Sequence, residues 1–266
     1  MFNYRTIFES IESTSITEGS NNLAEEIIRA NLEPFKHFEG RSRTDAEYFR
    51  ILVEVIFYSG FRAATVTAKL TKIHGHFPDY QTVANYSDEQ VGKIFADSSM
   101  IRNRIKINAC VKNAKVFREI VQEYGSFQNY VDNFSSSSSF ENLMLLKEEL
   151  EYRFDGLGRI TTYHFMTEIG MPVLKPDRVI SRIFKRLGLI ENEEQLLKTV
   201  IQGRKFAEST GHPIRYIDIV LVAYGQVQSI EFGIERGICL EGKPSCSICG
   251  ASRFCKFYSQ KQQANT

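Results

Sequence analysis

Five stretches of this chain carry apolar side chains at intervals of three and four residues: "AEYFRILVEVIFYS" (46–59), "IKINACVKNAKVFREIVQEYG" (105–125), "FENLMLLKEELEYR" (140–153), "RVISRIFKRLGL" (178–189) and "IDIVLVAYGQVQSIEFG" (217–233). That spacing lays the apolar groups along one stripe of an α-helix, and the period-two alternation of a half-buried strand is nearly absent. Breakers fall between the stretches: "GHFPDY" at 75–80, Gly125-Ser126, the run Ser135 to Ser139, "GLG" at 156–158 and "GMPVLKPD" at 170–177. The sequence therefore predicts an all-α protein of many short helices. The serine run reads as a flexible connection whose last residue, Ser139, caps the helix that follows.

With 266 residues, 42% of them hydrophobic, the chain can bury one large core or two modest ones. The opening "MFNYRTIFESIEST" lacks the basic-then-apolar order of a secretion signal, and no run of about 18 apolar residues occurs. A protein of the cytoplasm, or of the chromosome if it binds DNA, with no membrane contact is expected. The net charge of +1 hides two basic segments, 101–118 with six basic residues and no acidic one, and 175–186 with five against the single Asp177. Either is a solvated helix face or a surface for a polyanion.

Four of the five cysteines crowd into "GICLEGKPSCSICGASRFCKF" (237–257): Cys239, Cys246, Cys249 and Cys255. In a reducing compartment clustered thiols hold a metal more readily than they form disulfides. Both an iron-sulfur cluster and a four-cysteine zinc site use such a set, although zinc knuckles are normally two C-x-x-C pairs set farther apart. His37, His74, His76, His164 and His212 show no metal-site spacing.

In "ELEYRFDGLGRITTYHFMTEIGMPVLKPDRVISRIFKRLGL" (149–189) one helix ends near Arg153, a "DGLG" turn follows, and another helix starts near Arg159. Glycine in such a turn permits positive φ and close backbone approach, and the amides opening the next helix can hold a phosphate oxygen. Farther on, Asp177 before an apolar-periodic run has the signature of a helix N-cap.

"FDGLGRITT", "EIGMPVLKPDRVISRIFKRLGL" and the C-x6-C-x2-C-x5-C spacing together resemble the helix-hairpin-helix DNA glycosylase superfamily, from about residue 45 to 257. The resemblance implies a two-domain fold: a six-helix barrel with the hairpin over 45–172, and a second domain in which 1–44 packs with 173–266. Double-stranded DNA would lie across the groove between them. It implies DNA contacts from Gly156, Leu157, Gly158, Arg159, Thr161 and Arg178, catalysis by Asp177, and a [4Fe-4S] cluster on Cys239, Cys246, Cys249 and Cys255, as in endonuclease III. Two departures matter. Bifunctional members carry a nucleophilic lysine where this chain has Arg159 and Ile160, so a monofunctional enzyme is expected, with Lys175 as a displaced amine for the alternative glycosylase/lyase. Asp155, where proline is usual, puts a charge beside the turn.

Upstream, "SSMIRNRIKINACVKNAKVFREIVQEYGSFQNYVDNF" (98–134) and "ITTYHFMTEIGM" (160–171) are similar to the 3-methyladenine DNA glycosylase I branch, which lacks the cluster loop. This implies a base pocket on the 52–66 helix, with Phe57, Tyr58 and Phe61 for stacking and Glu54 or Tyr163 for hydrogen bonding. An alkylated purine such as 3-methyladenine is the expected substrate of a monomeric base-excision repair enzyme. The alternatives are oxidised or modified pyrimidines, or a non-catalytic iron-sulfur DNA-binding protein.

Overall fold

Each of the five apolar-periodic stretches contains a helix in the computed structural model, which describes residues 2–264: Asp45–Tyr58, Arg104–Tyr124, Phe140–Arg153, Arg178–Leu187 and Ile214–Gly225. The remaining longer helices are Tyr4–Gly19, Glu25–Leu32, Asp88–Ala96, Thr161–Glu168, Leu196–Thr210 and Lys256–Ala264. Among the described residues strand pairing is limited to one antiparallel bridge, Ser229 with Ile234. Among the described residues no helix is long and apolar enough to cross a membrane.

Local chemistry sets the helix starts. Thr44 and Glu47 close a reciprocal capping box, and the hydroxyls of Ser126 and Ser139 accept from the amides of Asn129 and Asn142. Two expectations are corrected. The helix expected over 217–233 stops at Gly225, because its last carbonyls have other donors: Tyr224 O receives the amides of Ile238 and Cys239, and Gly225 O takes Arg182 Nη2 at 2.6 Å. The serine run is an ordered turn, with Ser135 O accepting from the amide and hydroxyl of Ser138 and from Asn142 Nδ2.

The chain divides into two units, residues 40–171, and the segment up to Glu39 together with that from Pro172 onward. In the first, Phe127 stacks on Phe117 with centroids 4.5 Å apart and also packs against Phe154 and Phe165, which flank the glycine turn. All four rings are essentially buried, and each contributes about 2 kcal/mol of transfer free energy. In the second, Ile7, Phe8 and Ile11 of the first helix join Ile180, Phe184, Phe206, Ile217 and Leu221 in one core.

Candidate functional site

The glycine turn is built as a hairpin between Phe140–Arg153 and Thr161–Glu168. Gly156 has φ +84°, a conformation that an L side chain adopts only with strain. Asn113, 1% exposed on the Arg104–Tyr124 helix, clamps the turn from below: its Nδ2 donates to Asp155 O and its Oδ1 accepts from Asp155 N, both at 2.8 Å. The Asp155 carboxylate is met by Lys112 Nζ at 3.0 Å, so the charge beside the turn has a counter-ion. Gly158, Arg159 and Ile160 are exposed, and Thr161 Oγ1 shares a hydrogen bond with Ser59. Leu157 is different: its side chain is buried and its amide already donates to Phe154 O, so it offers a phosphate neither group. Arg178 is exposed at the start of its own helix.

Asp177 caps Arg178–Leu187. Its Oδ1 accepts from the amides of Val179 at 2.9 Å and Ile180 at 3.1 Å, while Oδ2 lies 3.9 Å from Lys175 Nζ. One oxygen is thus fixed by the backbone and the other faces the Lys175 ammonium. Behind it stands a support that sequence reasoning missed. Asp218, 3% exposed, takes the amide of Lys175 on Oδ1 at 3.1 Å and Arg215 Nη1 on Oδ2 at 2.8 Å. Burial pushes the Asp218 carboxyl up to about 6; the Arg215 guanidinium pulls against this and the Asp177 charge adds to it. Next to this segment Leu174 presses on Leu196–Thr210 at Gly203, where a Cβ would come within 1.8 Å of Leu174 Cδ2. Only glycine fits there.

The residues expected to form a base pocket divide. Phe57 is fully buried against Phe77 and serves the core. Tyr163, 4% exposed, points its hydroxyl at Met144 Sδ, and burial raises it above the usual tyrosine range. Glu54 is bound to His74 Nε2 at 2.8 Å and faces Arg50. Tyr58 bonds Thr67 at 2.9 Å. Phe61 alone keeps an exposed ring, 38% accessible, with Lys106 Nζ 5.6 Å from its centroid. The basic 101–118 segment is also partly spent internally: Lys106 donates to Ile56 O, Lys112 meets Asp155, Arg118 bonds Asn85 and Arg104 lies over Phe95. Arg102 and Lys115 are exposed.

Cys239, Cys246, Cys249 and Cys255 line a single small cavity together with Ile238, Pro244 and Tyr258. The loop is tied to its unit at several points. Arg186 donates to Leu240 O at 2.7 Å and to Cys239 Sγ at 3.3 Å, Tyr224 Oη donates to Cys249 Sγ at 2.8 Å, and the Gly250 amide donates to Thr14 of the first helix at 3.1 Å. Among the described residues no three histidine, cysteine or acidic side chains gather at a point as a single metal ion requires. Burial raises the thiols of Cys249 and Cys255 above the ordinary cysteine range.

Residues 38–175, just over half of the chain, match the methyladenine glycosylase family. The chain belongs to that family. With it comes membership of the helix-hairpin-helix DNA glycosylase superfamily, whose fold the solved structures share. A trapped endonuclease III–DNA covalent intermediate superposes with TM-score 0.55 at 16% identity, covering 90% of this chain and 99% of that one. The 8-oxoguanine DNA glycosylase of Thermotoga maritima gives 0.52 at 19%, covering 81% and 96%. The Methanocaldococcus jannaschii 8-oxoguanine glycosylase/lyase in complex with a DNA 15-mer gives 0.51 at 20%, covering 79% and 94%. The methyladenine glycosylase match stops two residues before Asp177 and well short of the cysteines. Within the matched part, Asn113 stands in a segment legible as motif, though its grip on the turn is a tertiary fact.

Proposed function

We propose that this DNA N-glycosylase is monofunctional and removes an alkylated purine, such as 3-methyladenine, with Asp177 as the catalytic carboxylate. The exposed amides and Arg159 of the hairpin hold backbone phosphate, fixing register without reading sequence. In the extruded nucleotide the C1′–N bond breaks and its electron pair leaves with the base; an alkylated, cationic purine departs neutral, so little protonation is needed. The cation left on the sugar is stabilised by the carboxylate, and water adds at C1′ with its proton passing to Asp177 or solvent. The observation carrying this reading is the placement of Asp177, whose Oδ1 is held by two backbone amides while Oδ2 faces only the Lys175 ammonium, at 3.9 Å, among the described residues. The family match supports the choice of an alkylpurine, and the exposed ring of Phe61 is the surface on which its flat base would stack.

The four cysteines suit a [4Fe-4S] cluster. Four thiols lining one cavity would each meet a different iron of a cubane, and their close spacing along the chain is unlike the two separated knuckles of a zinc site. When bound, the cluster would cross-link the loop through four iron–thiolate bonds.

The test is excision from duplexes carrying a panel of modified bases. Wild type should release the alkylated purine, and Asp177→Asn should be slower by about 10²-fold or more with duplex affinity retained. Activity preserved in Asp177→Asn would refute the assignment. A covalent adduct with abasic DNA under borohydride, lost in Lys175→Ala, would replace the water route by a lyase one.

A further inference from the structure

We infer that Asp218, paired with Arg215, is the positioning residue for the reaction, a buried carboxylate that clamps the Lys175–Asp177 backbone so that Asp177 keeps its aim. This rests on the reading of Asp177 given above. The segment has little to hold itself with. Pro176 has no N–H, and the Asp177 amide closes a tight turn onto Lys175 O at 2.8 Å. The amide of Lys175 ties the turn to the rest of its unit, and Asp218 Oδ1 accepts it.

The clamp itself is rigid. Asp218 Oδ2 is fixed by Arg215 Nη1, whose guanidinium lies over Phe35 at 5.4 Å and Phe38 at 5.3 Å, and the Arg215 amide donates to Glu39 Oε1 at 2.8 Å. The charged groups around Asp218 are Arg215 on its own helix and Lys175 and Asp177 on the facing segment. A neutral asparagine could accept the Lys175 amide without the desolvation that a buried carboxylate suffers. What the ionised pair adds is a single fixed geometry behind a catalytic group. Misplacement of such a group by about 1 Å costs on the order of a hundredfold in rate.

The experiment separates rate from binding in the full chain. Asp218→Ala should lower the single-turnover excision rate by about a hundredfold while the duplex Kd changes by less than about twofold, since no DNA contact is removed. In the same variant hydrogen exchange at the Lys175 amide should quicken by about tenfold or more, because its acceptor is gone. Asp218→Asn keeps an acceptor oxygen and should restore part of both losses; it also serves where the alanine variant folds poorly. Excision by Asp218→Ala at the wild-type rate, with Asp177→Asn inactive, would overturn the inference alone. So would a loss that appears wholly in Kd. An active Asp177→Asn would instead remove the reading on which the inference stands.

Discussion

Asp177 caps its helix through one oxygen and is proposed to act on the sugar through the other, and substitution can separate the two roles. Asparagine caps a helix nearly as well as aspartate, whereas alanine forfeits the cap at about 1 kcal/mol. Urea unfolding should therefore show Asp177→Asn close to wild type and Asp177→Ala weaker by about that amount, while excision should fall alike in both. Equal stability of the two would mean that the bonds to Val179 and Ile180 contribute nothing to folding. Asp218 makes a prediction with a definite sign. Its folded carboxyl sits near 6, above the ordinary 3.8, so the folded state binds a proton that the unfolded state has released across that window. Wild type should lose stability relative to Asp218→Asn as pH rises from about 4 to 6, by a limiting amount on the order of 3 kcal/mol, and the gap should then level off. Thermal melts of the two proteins across that range read it directly. Asp177 was legible because a cap and a short motif are local. Asp218 was not, since its partner Lys175 lies 43 positions away; the one available hint was an acidic residue three positions after Arg215 in the mostly apolar stretch Ile214–Gly225.

At the level of elements, the spacing of apolar residues located the main helices because burial of one stripe is what stabilises a short helix. It overran at Gly225, where competing donors rather than loss of apolar character end the helix. The hairpin was legible from its glycines, but not the device beneath it. Asn113 satisfies both backbone groups of Asp155 across 42 residues while almost wholly buried. Asn113→Ala removes both hydrogen bonds to the Asp155 backbone, so chemical denaturation should register a loss of about 2 kcal/mol. Asn113→Asp restores the acceptor but not the donor and should recover only part of it. The loosened turn should also weaken duplex binding with little change in the excision rate once bound, which fluorescence anisotropy and single-turnover kinetics can distinguish. If affinity is untouched, the turn does not carry the phosphate contact.

At the scale of the whole molecule, the second unit is assembled from both ends of the chain, and that was beyond the reach of periodicity. Ile7, Phe8 and Ile11 on Tyr4–Gly19 are completely buried against helices that follow residue 177. The same first helix presents Thr14 to the amide of Gly250 inside the cysteine loop. Losing three such side chains removes about 1.5–3 kcal/mol each, a sum comparable with the 5–15 kcal/mol that normally separates a folded domain from its unfolded chain. Deletion of residues 1–19 should therefore unfold the unit that carries Asp177 and the cysteines. Residues 40–171, which keep the Phe127 ring cluster, should stay folded. Limited proteolysis of the truncated protein should leave a protected fragment with those boundaries, and iron and sulfide analysis should find the proposed cluster lost with the rest. Cluster content at the wild-type level after the deletion would mean that the loop folds on its own ligands and owes nothing to the N-terminal helix.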